Sequence, residues 1–456
     1  MAGLAAMPCR AKERLGMSGV LLSLYSGLMR LAQPLLRRKM AQRALQEPGY
    51  ADALNERFGH YTQKVETSSE LVWLHAVSLG ETRTAAILLK ALREEHPGLR
   101  LLLTHGTATG RAEGRALLRP GDLQVWQPWD TREVVERFLE HFKPRLGVLM
   151  ETEVWPCQVA SAKTRGLPLV LVNGRLSDKS LQRALRISLL ASPAYASLTA
   201  VYAQTALDAE HYRKLGVQVA GVFGNLKFDA TPSASLQATG KAWRHSSGHR
   251  VVMFASSRDG EEALFLKEIR ATAQQIRAQS APQDRANQRC PKWLIVPRHP
   301  QRFDEVAALV ARHGLALSRR SGWLGSPFEN QEAMRADVWL GDTLGEMPLY
   351  YALSDVALLG GSFEKFGGQN LIEAAACGCP VVMGLHTYNF FEAAELAESA
   401  GAAHRVTDIA GALRWAVQCA NSPAKQSRMA QAATAFAATH QGATGRTVQA
   451  LAAYLT

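Results

Sequence analysis

The chain has 456 residues, more than one ordinary core accommodates, so two domains are the first expectation. An apolar fraction of 47% with few aromatics excludes a disordered or fibrous chain and fits a soluble α/β enzyme. A net charge of +12 invites an anionic partner: nucleic acid, an acidic membrane surface or a phosphorylated substrate.

Residues 1–45 alone carry +7, with Arg10, Lys12, Arg14, Arg30, Arg37, Arg38, Lys39 and Arg43 set against Glu13. They bracket "LGMSGVLLSLYSGLM" (15–29), an uncharged and mostly apolar run. It is shorter than the ~20 residues of a spanning helix, and no small-residue cleavage site follows it. The segment 15–40 therefore reads as a basic-flanked interfacial helix, with an ordinary helix packed on its domain as the alternative. Nucleic acid is not expected, because the chain lacks aromatic-basic stacking patterns, zinc-finger spacing and a helix-turn-helix signature. The six cysteines include no CxxC pair, which suggests core thiols in a reducing compartment.

Strand-like and helix-like stretches then alternate. "ELVWLHAV" (70–77) and "LRLLLTHG" (99–106) flank a helical "TRTAAILLKALREEH" (82–96), and "PRLGVLME" (144–151), "LPLVLVNG" (167–174) and "LTAVYAQ" (198–204) continue the series. A stretch rich in Ser, Thr, Ala and Gly, 229–250, reads as soft. The alternation resumes with "VVMFASS" (251–257), "KWLIVPR" (292–298), "ADVWLGD" (336–342), "DVALLGG" (355–361) and "CPVVMG" (379–384), with a surface loop expected over 277–291. Such alternation predicts parallel sheets covered on both faces. The divisions expected are a membrane-association segment (1–45), a first Rossmann-like domain (46–232), a linker (233–248), a second Rossmann-like domain (249–426) and a helical tail (427–456).

Open α/β sheets bind ligands beyond the carboxyl ends of their strands, and polar residues collect there. Ser78, Gly80 and Glu81 follow the first strand; Glu151 and Glu153 follow the third; "NGRLSDKS" (173–180) follows the fourth. In the second half, "PRHP" (297–300), "GDTLGEM" (341–347) and "GGSFEKFGGQN" (360–370) hold equivalent places. Glycine pairs ahead of a helix allow backbone N–H groups to approach an anion, and Glu373, one turn into that helix, is suited to ribose hydroxyls; plain tight turns use glycine pairs as well. Glu151 and Glu153 point to one side if the strand persists that far. No Walker loop, HExxH, Cys/His cluster or D-x-D pair occurs, which favours chemistry without a metal, and Ser78 lacks the first glycine of a hydrolase elbow. His75 reads as a structural or substrate-contact histidine.

The blocks "HAVSLGE" (75–81), "THGTATG" (104–110), "METEVWP" (150–156), "VNGRLSDKS" (172–180), "GNLKFD" (224–229), "VPRHPQRF" (296–303), "GDTLGEM" (341–347) and "GGSFEKFGGQNLIEAAACGCPVVMG" (360–384) occur together, in an order and at spacings that resemble the 3-deoxy-D-manno-octulosonic acid (Kdo) transferases of lipopolysaccharide synthesis. Departures are Cys157 in place of Asn, Gly174 in place of Ala, and "THGTATG" in place of a Thr-richer, Pro-containing loop.

The resemblance implies a GT-B fold, two Rossmann-like domains facing a central cleft, behind an N-terminal membrane-associated helix. It implies inverting transfer of Kdo from CMP-Kdo to a phosphorylated lipid A precursor, lipid IVA, at the cytoplasmic face of the inner membrane, with CMP-Kdo a substrate and no cofactor or metal. Glu81 takes the general-base role. Arg298 is expected on the CMP phosphate with His299 assisting; Gly345, Glu346 and Met347 border the cytosine; Asn370 and Glu373 belong to the nucleotide block; and Lys227 reaches the donor carboxylate. Ser78, Gly80, Glu151, Arg175, Ser177 and Ser180 are assigned to the acceptor side or cleft, with Arg57 nearby. A GT-B transferase using a UDP-sugar and a lipid acceptor is the alternative.

Overall fold

The computed structural model of the chain describes residues 9–65, 71–247, 249–279 and 291–455. The loop expected over 277–291 falls outside them at 280–290. The chain forms two units: Met1–Asp229 with Gln441–Thr456, and Ala230–His440.

The first unit holds seven parallel strands in the order β3-β2-β1-β4-β5-β6-β7. They are β1 (Leu71–His75), β2 (Arg100–His105), β3 (Leu123–Trp126), β4 (Leu146–Met150), β5 (Leu169–Gly174), β6 (Ala200–Ala203) and β7 (Val219–Val222). Both faces of the sheet are covered, so β1, β4 and β5 are buried along their whole length. The two-residue period sends Leu71 and Trp73 into the core on one face and Val72 and Leu74 into the core on the other.

The second unit repeats the plan with β8 (Val251–Ser257), β9 (Lys292–Pro297), β10 (Leu317–Arg319), β11 (Val338–Leu340), β12 (Val356–Leu359), β13 (Val381–Met383) and β14 (Ala403–Arg405), in the order β10-β11-β9-β8-β12-β13-β14. In each sheet the order reverses at the first strand. The crevices lie between β1 and β4 in one unit and between β8 and β12 in the other.

Two expected divisions change. The stretch 233–248 is no soft linker, because Ala234–Ser247 is a helix packed on Met347–Leu353 in the second unit. Its small residues serve close packing: a Cβ on Gly240 would lie 2.4 Å from the Leu349 carbonyl oxygen and 2.9 Å from Ala352 Cβ. The tail also divides. Pro423–Thr439 belongs to the second unit, while Ala443–Ala452 returns to the first and buries Ala443, Val448 and Leu451 in its core. Asp229, the last residue before the first crossing, accepts the N–H groups of Gly442 and Thr444 just after the second.

At the N-terminus the expected single helix is two, α1 (Cys9–Leu31) and α2 (Gln33–Ala44), broken ahead of Pro34. One face of α1 docks on the first unit. Leu22 and Tyr25 join its core, Trp129 Nε1 donates to the Met29 carbonyl at 2.8 Å, and Arg30 pairs with Glu133. Val20, Leu24, Leu28 and Leu31, continued by Leu35 of α2, stay exposed. Among the described residues no helix is long and apolar enough to cross a membrane.

Candidate active site

In the first unit the candidate residues gather at the β1/β4 crevice. Beyond β1, Ser78 takes an extended conformation and caps α3 (Leu79–Glu95), its hydroxyl oxygen accepting the Glu81 N–H at 3.3 Å. The Glu81 carboxylate turns back and accepts the Val77 N–H at 2.7 Å and the Ser78 hydroxyl at 3.3 Å. This is a capping box reaching one residue further back than usual. Burial, reinforced by the charge of Glu151, pushes the Glu81 carboxyl up to about 7. A carboxyl with that value exchanges its proton near neutrality.

Across the crevice, β4 has already ended where the acidic pair begins. Glu151 sits at φ +58°, in the left-handed region, so the alternation expected of a strand does not apply. Its carboxylate meets Lys227 Nζ at 3.0 Å, and its carbonyl accepts the Arg175 N–H and the Tyr212 hydroxyl, each at 3.2 Å. Lys227, expected at the donor's carboxylate, is thus paired within the first unit. Glu153 accepts Trp155 Nε1 at 2.7 Å, and burial raises its carboxyl. Asn173, at φ +52° at the end of β5, accepts the Leu226 N–H and thereby fixes the short helical turn Leu226–Asp229 that carries Lys227.

Other residues of this half make contacts that hold the fold around the crevice. His75 is wholly buried, with Nδ1 2.8 Å from the Thr104 hydroxyl; burial first, then the proximity of His105, holds it down at about 3. Arg57 is 8% exposed, donates to the Gly106 carbonyl at 2.8 Å and lies 4.0 Å from the Trp126 ring centroid, so it fastens the "THGTATG" loop from beneath. Ser177 caps Asp178–Arg186 by accepting the Ser180 N–H at 3.2 Å, and its own hydroxyl donates to that of Ser180.

In the second unit the β8/β12 crevice contains a residue the sequence reading passed over. Glu261, fully buried at the start of the helix Glu261–Gln279, accepts backbone N–H groups from Gly361 (2.7 Å), Phe363 (3.2 Å), Glu364 (3.4 Å) and Arg258 (3.1 Å). These N–H groups of the glycine loop therefore face a carboxylate of the protein itself. The signal was present as "RDGEE" (258–262) after the first strand of the second sheet, matching "LGE" (79–81) after the first strand of the other.

Arg298 follows β9 and donates through Nε to Gln369 Oε1 at 3.1 Å. His299 lies beside it, its imidazole lowered by burial and then by the charges of Arg258, Arg298 and Arg302. Asn370 caps Leu371–Ala376 by accepting the Ile372 N–H at 3.1 Å, and Glu373 is half-buried in the first turn of that six-residue helix. Glu346 pairs with Arg320 at 2.8 Å and accepts the Thr343 hydroxyl; Gly345 beside it is exposed, and Met347 begins Met347–Leu353. Among the described residues no three His, Cys, Asp or Glu side chains form a group able to hold a metal ion.

Two parallel α/β units with polar loops at both switch points define a GT-B-like class. A solved glycosyltransferase from Rickettsia africae shares the fold with a TM-score of 0.52, covering 85% of this chain and 99% of that one at 12% identity. A family model described as 3-deoxy-D-manno-octulosonic-acid transferase (kdotransferase) matches residues 52–230. The 3-deoxy-D-manno-octulosonic acid transferase of Bordetella pertussis is 48% identical over 390 residues, 84% of this chain and 87% of that one. The Haemophilus influenzae enzyme of that name is 30% identical over 438 residues, 94% of this chain and 98% of its own. The chain belongs to the Kdo transferase family. It is a glycosyltransferase of lipopolysaccharide biosynthesis, and the family, not the fold, separates Kdo from the UDP-sugar alternative.

Proposed function

We propose that the chain moves Kdo from CMP-Kdo to the lipid A precursor lipid IVA, inverting the anomeric centre, with Glu81 as general base and without a metal. The observation that carries this reading is the place of the Glu81 carboxylate, held by the Val77 N–H at 2.7 Å in the first turn after β1 at the switch point, where burial and Glu151 raise it to about 7. In the proposed step the carboxylate takes the proton of the acceptor hydroxyl as that oxygen bonds to the anomeric carbon. The bond from that carbon to the CMP phosphate breaks with its electron pair, and CMP departs. Arg298 meets the single phosphate charge that develops, as a guanidinium can with two hydrogen bonds. Asn370, Glu373 and the 345–347 turn flank the nucleotide, and Ser78, Gly80, Glu151, Arg175 and Ser177 flank the acceptor.

The exposed leucine stripe of α1 and α2, with Arg30, Arg37, Arg38, Lys39 and Arg43 on the same two helices, supports docking on an anionic lipid surface at the cytoplasmic face of the inner membrane. Ile187 and Leu189, at the start of the helix Ser188–Ala196 that contacts α1, are exposed as well.

Product mass spectrometry tests the reading. Purified chain incubated with lipid IVA and a CMP-Kdo supply in EDTA is expected to add one or more Kdo units, and Glu81→Gln none. A wild-type product that appears only with added metal refutes the metal-free step; full activity in Glu81→Gln removes the base.

A further inference from the structure

The donor that the proposed function assigns carries two negative charges beside the reacting carbon: the phosphate that leaves and the carboxylate of the Kdo sugar. Lys227 is already paired with Glu151 in the first unit. A second cation therefore has to be sought near Arg298. Of the arginines around His299, Arg302 is spent on Glu262 (2.8 Å), Asp259 (3.1 Å) and Glu305 (3.0 Å).

Arg258 is different. It follows β8 directly at the switch point, and among the described residues no carboxylate side chain pairs with its guanidinium. Its guanidinium carbon lies 4.7 Å from the Phe366 ring centroid, a contact that aims the group while occupying none of its N–H donors. Its backbone N–H is fixed by Glu261, the carboxylate that also holds the glycine loop. Gly361 of the glycine loop lies beside the Arg258 stem and beside Gln369, the partner of Arg298. A Cβ there would stand 3.6 Å from Arg258 Cγ and 3.1 Å from Gln369 Nε2, and Gln369 in turn holds Arg298 Nε. The two arginines thus meet the same glycine loop, Arg258 at Gly361 and Arg298 through Gln369, and the charges of both bear on His299.

We propose that Arg258 binds the carboxylate of the donor sugar while Arg298 holds the leaving phosphate, so that the pair selects an acidic sugar on a nucleoside monophosphate. This rests on CMP-Kdo being the donor. Fixing the carboxylate also orients the anomeric carbon, which bears it directly.

CMP carries the phosphate without the sugar carboxylate, so it separates the two roles. CMP binding by titration calorimetry and steady-state KM for CMP-Kdo are measured on the full chain, Arg258→Gln, Arg258→Lys and Arg298→Gln. We expect Arg258→Gln to raise the donor KM about tenfold or more while CMP affinity stays within about twofold, Arg258→Lys to recover part of the loss, and Arg298→Gln to weaken CMP about tenfold. Phe366→Leu, which loosens the guanidinium without removing it, gives the same split at smaller amplitude should Arg258→Gln fold poorly. Equal weakening of CMP by Arg258→Gln and Arg298→Gln overturns the carboxylate role, and so does an unchanged donor KM in the Arg258 variants. A wild-type chain that binds CMP yet never turns over CMP-Kdo overturns the donor assignment itself, and this proposal with it.

Discussion

The dipeptide Gly-Glu follows the first strand of each sheet, as Gly80-Glu81 after β1 and Gly260-Glu261 after β8, and the two carboxylates have opposite fates. Glu81 is half-buried, accepts one N–H from its own turn and feels the charge of Glu151, so its proton is exchangeable near neutrality. Glu261 is fully buried and saturated by four backbone N–H groups, three from a loop about a hundred positions further along the chain. One switch-point carboxylate is left available for chemistry. The other is consumed in fixing the glycine loop. Topology puts a carboxylate at both crevices; hydrogen-bond saturation decides what each one does.

The largest effect that can break this contrast is on turnover. Glu81→Gln should lower kcat by roughly a hundredfold to ten-thousandfold, with CMP affinity unchanged in calorimetry. It should also stabilise the fold. The Glu81 carboxyl is raised from its ordinary 4.5 to about 7, so between those values the folded state holds a proton that the unfolded state has lost. Stability therefore falls as pH rises through that window, and above it the variant should exceed the wild type by about 1–2 kcal/mol in urea melts. Glu261→Gln should do the reverse, costing about 2–4 kcal/mol because an amide NH2 is turned toward N–H donors that need an acceptor. A Glu261→Gln chain that melts like the wild type removes the structural half of the contrast.

How much of this could be read in advance follows the same physics. The ten strands read from the sequence are the interior ones, where burial on both faces writes continuous apolar runs such as "LVWLH" and "VVMFA". The four that escaped, β3, β7, β10 and β14, are the edges of the two sheets. They are short, and β7 is only half-buried at alternate residues, so no such run marks them. The stretch 233–248 misled because Ser, Ala and Gly signal flexibility in a loop and close approach in a helix pair, and only the partner helix distinguishes them. At the crevices, the places of Glu81 and Arg298 just after strands were legible. Glu261 was marked by its place in "RDGEE" after a strand, but what it does was not legible, since its partners lie about a hundred positions further along; nor was the ion pair of Lys227 with Glu151, which depends on a left-handed residue at the end of β4.

Sharpening the contrast further needs the charge beside Glu81. After burial, the charge of Glu151 does most to raise that carboxyl. Removing that charge in Glu151→Gln should let Glu81 ionise earlier, moving the rising limb of the kcat/KM–pH profile from about 7 toward acid by roughly half a pH unit. A limb that stays put would mean that another group sets the profile.

The smallest effects test the glycines themselves. Gly260 sits at φ +87°, where a side chain is strained, so Gly260→Ala should cost about 1–2 kcal/mol in thermal or urea melts. Gly80 has no such constraint: it lies in the first turn of α3, and an added Cβ would meet only Ser78 Oγ, at 3.9 Å. Gly80→Ala should therefore stabilise the fold by up to about 0.5–1 kcal/mol, as alanine does in a helix. On the proposed function, a glycine that stability disfavours at an exposed turn beside Glu81 is explained by what has to approach there. The same variant should raise the KM for lipid IVA while leaving the KM for CMP-Kdo unchanged, because the methyl group intrudes on the acceptor alone. If both constants stay at wild-type values, the acceptor hydroxyl reaches Glu81 from another side, and the turn at Gly80 is not its floor.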